Sequence, residues 1–317
     1  MWEFINFYLL PGVVLGCIYA LGAIGISLTF GILRFSNFAH GDTMTFGVYV
    51  TLSLVLVSGL HPLVVAPIAM AATSVMAIGI DKLFYKPFRN SPTIMLVIAS
   101  FGLMLMIRSV VQFFWGVQLQ PMVKGIQMPM QDLKPILLPM KHVLIIGGTV
   151  ILMLAVHFLL TRTRIGKAMR AVSDSPELAR VTGIDTEKVI RMTWIVGSCL
   201  AVAAGVFLAI DTHVETMMGF KLLLPMFAAA ILGGIGKPYG AVAGGLVIGI
   251  AEELSAFPWI AATGLCEGRT FTISALEIIS NCNAPLLNPG YKAGVAFAIM
   301  VAMLIWRPQG LFRGRQF

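Results

Sequence analysis

Long apolar runs constrain this chain more than any other feature. The sequence is a succession of apolar stretches, at about residues 7–32, 44–59, 63–80, 93–114, 143–160, 192–210 and 293–306. A helix of roughly twenty apolar residues spans the hydrocarbon of a bilayer. Backbone in that medium must satisfy its own hydrogen bonds, which favours helices. The chain is 58% hydrophobic and 11% charged, against about 25% charged in a soluble domain. The expected fold is therefore all-α: a polytopic membrane helical bundle of eight or nine spans, forming one domain over residues 1–317. The amino-terminal MWEFINFYLLPGVVLG lacks a basic segment and a small-residue cleavage site, so it reads as a retained first span. Two places interrupt the pattern and are expected to be broken or re-entrant. One is 31–43, with Arg34, Asn37, His40 and Asp42 between apolar runs. The other is the glycine-rich 233–240.

The net charge of +8 does not mark a nucleic-acid surface, because the basic residues sit mostly at span ends. The loops 81–90, 161–191 and 307–317 hold 3, 7 and 3 basic residues. Positive-inside bias assigns these loops to the cytoplasm and places the loops 115–141 and 257–289 outside.

The stretch 161–191, TRTRIGKAMRAVSDSPELARVTGIDTEKVIR, is a polar island with its own helix punctuation. Ile165, Ala168, Met169 and Val172 form an apolar stripe at helical spacing, opposite Arg164, Lys167 and Arg170. Ser173, Asp174 and Ser175 offer capping oxygens, Pro176 suits a first helical position, and Glu177 faces the positive end of the helix dipole. A short helix over 176–182 is expected to stop at Gly183, and Asp185 to cap the next span. The island thus reads as folded, although an ordered connecting loop would carry the same signals.

No sequence signal favours an enzyme. Gly233–Gly236 followed by Lys237 looks like half a phosphate loop, but Pro238 stands where a magnesium-binding Ser or Thr belongs, and an earlier glycine is missing. A tight turn between two half-spans explains it better. Asn37, His40, Gly41 and Asp42 say more, since ionisable groups at membrane depth mark a pathway or a partner. A broken helix there would expose donors for a carboxylate and carbonyls for an ammonium. An interfacial turn with its polar groups among headgroups is the alternative. Arg108 reads as snorkelling or paired, and Glu252 and Glu253 as interfacial. Cys17 and Cys199 fall in apolar spans. Cys266 and Cys282 share the external loop, where an oxidising compartment would permit a disulfide.

Four motifs carry a family resemblance. GISLTFGILRFSNFAHGD, GKAMRAVSDSPELARVTGIDTEKV, LGGIGKPYGAVAGGLVIGIAEEL and the terminal RPQGLFRGR, in that order, resemble the LivH-type permeases of branched-chain amino acid ABC importers. The resemblance implies a bacterial inner-membrane subunit paired with a LivM-type permease. It also implies two cytoplasmic ATP-binding subunits of the LivG and LivF type and a periplasmic amino-acid-binding protein. No cofactor is then expected on this chain; ATP and magnesium would be used by the ATPases. The loop 257–289 is longer than the family's usual external loop. Taken with the island, the resemblance makes 176–183 the expected ATPase-docking knob. Arg170, Asp174 and Glu177 would make its polar contacts, Leu178 and Val181 its apolar anchor, and Pro176 and Gly183 its bounds. An ion-coupled secondary transporter of small polar or zwitterionic solutes, using Asp42 or Glu252, is the competing expectation.

Overall fold

The computed structural model describes residues 4–89, 91–123, 138–257, 289–307 and 310–312. Among the described residues, six helices are long and apolar enough to cross a membrane: α1 (Ile5–Leu33), α2 (Ala39–Ser58), α3 (Pro62–Phe88), α4 (Thr93–Trp115), α5 (Met140–Arg162) and α8 (Thr186–Asp211). Between α5 and α8 lie α6 (Arg164–Asp174) and α7 (Pro176–Val181). The shorter α9 (Met218–Gly233), α10 (Pro238–Ser255) and α11 (Lys292–Trp306) follow. The structure is thus the helical membrane bundle that the apolar runs require.

The helices run between two faces. On one face Gly31 meets Gly236, Arg89 pairs with Glu187, and Leu311 N donates to Leu232 O at 2.8 Å. This face gathers the basic segments of the island and its neighbours. On the far face Lys141 pairs with Asp211, Lys292 with Glu253, and Gln120 bridges to Val214.

Packing centres on α1, α8 and α10. Helices in lipid gain little from burying apolar surface against each other and associate through close van der Waals contact, which small residues allow. The α1–α10 crossing shows this. A Cβ on Gly16 would lie 2.9 Å from Leu246 Cα, and one on Gly245 would lie 2.5 Å from the backbone of Ala20. By contrast α5 keeps Val150, Ile151, Leu154 and Phe158 exposed, a face for lipid or a neighbouring subunit.

Both expected interruptions are present. At 234–237 the chain makes a tight turn, with Gly234 and Gly236 at positive φ, and α9 and α10 form a hairpin. At 34–38 it leaves α1 through Arg34 at φ 58 and then turns back inside the bundle. Phe35, Asn37 and Ala39 are buried there, and Phe38 N donates to Ser100 Oγ at 3.3 Å, two turns into α4. So α2 begins among buried residues, covered by α4.

Two expectations need correction. The stripe on α6 buries Met169 and Val172 but leaves Ile165 41% exposed. Gly166 takes the inner position instead, since a Cβ there would collide with the carbonyl oxygen of Leu159. Glu252 is not interfacial. It is buried, and one carboxylate oxygen accepts from Tyr19 Oη at 2.6 Å. Cys17 is buried and Cys199 half-buried. Cys266 and Cys282 lie outside the described residues, as does most of the 257–289 loop.

Candidate functional site

Two regions hold the residues singled out above. The first is the start of α2. Asn37 acts locally: its side-chain oxygen accepts from Ala39 N at 3.1 Å and from Tyr85 Oη at 2.9 Å. It thereby satisfies the first backbone donor of α2 and ties that end to α3. His40 packs against α1, its ring within 3 Å of where a Cβ on Gly25 would sit, and its Nε2 has no hydrogen-bond partner among the described residues. Gly41 crosses Gly219 of α9 so closely that a Cβ on either would strike the other's carbonyl oxygen. Gly219 N donates to Thr45 Oγ1 at 3.0 Å. Asp42 is 1% exposed and pairs with Arg108 of α4, Nη2 to Oδ2 at 2.9 Å. The Arg108 guanidinium also lies over the Phe220 ring, 4.8 Å from its centroid. Helices α2, α4 and α9 therefore meet at one carboxylate, one guanidinium and one aromatic ring.

The second region is the island. Thr163 Oγ1 accepts from Gly166 N at 3.0 Å and starts α6. Ser175 Oγ accepts from Leu178 N at 3.4 Å and starts α7, with Pro176 in its first turn and Glu177 beside it. The end of α7 is closed by Ile184 N donating to Ala179 O at 2.9 Å and Gly183 N to Arg180 O at 3.0 Å. This Schellman closure requires the left-handed φ of 84° at Gly183. Asp185 Oδ1 then accepts from Glu187 N and Lys188 N. The Lys188 backbone donor is the main reason its carboxyl is held below the usual range. Of α7 only Ala179 is buried, while Leu178 is 67% and Val181 86% exposed. Arg170, Asp174 and Glu177 lie exposed around it.

A model of the branched-chain amino acid transport system permease component family matches residues 8–305. The chain belongs to that family. The permease is 30% identical to the LivH permease protein of the high-affinity branched-chain amino acid transport system of Escherichia coli K12, over 95% of this chain and 92% of that one. It is 26% identical to BraD of Pseudomonas aeruginosa, over 96% and 94% of the two chains. It is 31% identical to a probable LivH of Methanocaldococcus jannaschii, over 76% and 78%. It is a multi-pass transport subunit and not an enzyme.

The permease thus separates the two sets of expected residues. Asn37, His40, Gly41 and Asp42 converge inside the bundle, where Asn37 and Gly41 shape the backbone and Asp42 holds Arg108. Arg108 is paired, one of the two states expected of it, but its partner Asp42 is distant in sequence, and so is Tyr19, the partner of Glu252. At the island, replacing Gly183 by alanine is expected to weaken the closure of α7 by about 1–2 kcal/mol through left-handed strain. Proline there would also remove the bond to Arg180 O. Faster tryptic cleavage at Arg180 in Gly183→Ala, with unchanged membrane content, is the measurement.

Proposed function

We propose that this permease is the inner-membrane subunit of an ATP-driven importer for branched-chain or related hydrophobic amino acids. It would form the pathway with a LivM-type permease, receive substrate from a periplasmic binding protein, and be driven by two cytoplasmic ATPases. The basic face is cytoplasmic in this reading, following the positive-inside rule. One observation carries the coupling assignment: α7 is capped at both ends yet presents Leu178 and Val181 to solvent. A short ordered helix that spends its largest apolar side chains outside the bundle suits a groove on a partner. Arg170, Asp174 and Glu177 would make the salt-sensitive contacts at its rim. Its substrate class follows that of its relatives LivH and BraD, which are named for branched-chain amino acid transport.

The buried ionisable groups at the start of α2 support a pathway role for Asn37, His40, Gly41 and Asp42, since such groups within a membrane bundle mark a pathway or a partner. Uptake of labelled leucine tests the whole reading. It should collapse when ATP is depleted and persist under an uncoupler with ATP held constant. The reverse dependence would reject ATP-driven import in favour of ion coupling.

A further inference from the structure

The last turns of α3 are irregular, and Pro87 supplies the reason. It has no N–H to bond the carbonyl of Leu83, and its ring excludes that carbonyl from the usual place. The helix widens just before it. Lys86 N donates to Asp81 O, five residues back, so residues Asp81–Tyr85 form one π turn. Single π turns are rare and occur often at functional sites. This one points both Asp81 and Tyr85 inward, where both are buried.

Two contacts then fasten this end of α3 to α8. Arg89, just beyond Phe88, bonds both carboxylate oxygens of Asp81 through Nη2 and Glu187 Oε1 through Nη1, the latter at 2.7 Å. Tyr85 stacks on Trp194, with ring centroids 5.2 Å apart and planes inclined by 8°. Glu187 and Trp194 are separated by about two turns of helix, roughly 10 Å of rise. The end of α3 and the start of α8 are therefore held at two points, as one body.

The same tyrosine reaches the other way. Its hydroxyl donates to Asn37 Oδ1 at 2.9 Å, and its ring packs against Phe35 at 5.2 Å. The segment 34–38 belongs to no helix, so its shape depends on such side-chain contacts. Asn37 Oδ1 also accepts from Ala39 N, the first residue of α2. One oxygen thus joins Tyr85 to the start of α2, and the Tyr85 ring joins that oxygen to α8. Helix α8 in turn begins at the Asp185 cap, directly after the closure of α7. It also touches α2 directly, Gly205 against Met44 and Val48, but beyond the first turn of α2.

Given α7 as the ATPase contact, on which this rests, we propose that Tyr85 is the positioning residue through which movement of α7 reaches the start of α2. A push on α7 displaces the first turns of α8. Glu187 and Trp194 carry the end of α3 with them, and Tyr85 turns Asn37 and the buried His40–Asp42 stretch that follows it.

The test uses the intact transporter, with its ATPases and binding protein, in proteoliposomes. Labelled leucine uptake and ATP hydrolysis are read on the same vesicles. Tyr85→Phe keeps the ring on Trp194 and leaves Asn37 Oδ1 bonded to Ala39 N, so the complex should assemble and hydrolyse ATP as the wild type does. Uptake per ATP hydrolysed should fall about fivefold, the factor that corresponds to losing a hydrogen bond of about 1 kcal/mol. Glu187→Gln leaves the Asp81–Arg89 pair intact and should lower the same ratio by only about twofold. Trp194→Phe should retain more of it than Trp194→Leu, since only phenylalanine keeps an aromatic ring against Tyr85. An unchanged ratio in Tyr85→Phe would overturn the proposal and leave the direct α8–α2 contact as the route. So would a parallel loss of uptake, hydrolysis and assembled complex, which would make Tyr85 a residue of the fold alone. Wild-type uptake that does not depend on ATP would instead reject the ATP-driven reading, and this proposal with it.

Discussion

Asp42→Ala is expected to destabilise the permease by about 3–5 kcal/mol, because it strands a cation inside the bundle. The Arg108 side chain is only 11% exposed, and Asp42 is its one ion-pair partner among the described residues. The remaining contact, with the Phe220 ring, offers an estimated ~0.5–2 kcal/mol and does not neutralise the charge. Removing both charges should hurt far less. Asp42→Ala with Arg108→Met leaves no uncompensated ion, and such replacements are often near neutral. Thermal inactivation of the four corners of this cycle in detergent is the measurement. A double variant as unstable as Asp42→Ala would mean that the pair is needed for geometry and not for charge balance. Transport separates the roles further. If the pair only holds α2 to α4, the stable double variant transports. If Asp42 meets the substrate, it does not.

Local chemistry made part of this structure readable in advance. Ser175, Pro176, Gly183 and Asp185 act within a few residues of themselves, and each does what its position in the sequence implies. The spans are readable for the same reason: length and apolarity are local, and the bilayer leaves few other ways to satisfy a backbone. What stays hidden is chosen by packing. Asp42 and Arg108 are 66 residues apart, Tyr19 and Glu252 are 233 apart, and nothing local favours these pairings. A membrane carboxylate near a span end reads as interfacial until a distant hydroxyl is found to cover it. Gly166 is the smaller version of the same problem. The apolar stripe predicts Ile165 facing inward, but the sharp turn from α5 into α6 leaves room there only for a residue without a Cβ. The burial of the start of α2 was half legible. Polar residues in an apolar stretch mark a break, yet whether the break lies in headgroups or inside the bundle depends on Ser100 and Tyr85, which the stretch does not contain.

The largest effect on transport is expected from Leu178→Asp combined with Val181→Asp, which should reduce uptake at least tenfold at unchanged membrane content. Both side chains are mostly exposed, so the fold loses little; exposed substitutions of this kind usually change stability by about 0.5 kcal/mol or less. If the same side chains are buried on an ATPase, each contributes up to about 1.5–3 kcal/mol there. Losing both would weaken engagement by about 100-fold or more. Glu177→Lys should act in the same direction but less, since a first-turn carboxylate contributes only about 0.3–1 kcal/mol to the helix. Ala179→Asp is the contrasting control. Ala179 is the buried residue of α7, so a charge there should dislodge the helix from the island and expose its arginines to protease. Co-purification of the ATPases should fall in the Leu178–Val181 variant together with uptake. Full uptake with full co-purification would mean that α7 touches nothing during transport, and that its exposed apolar pair has some other use.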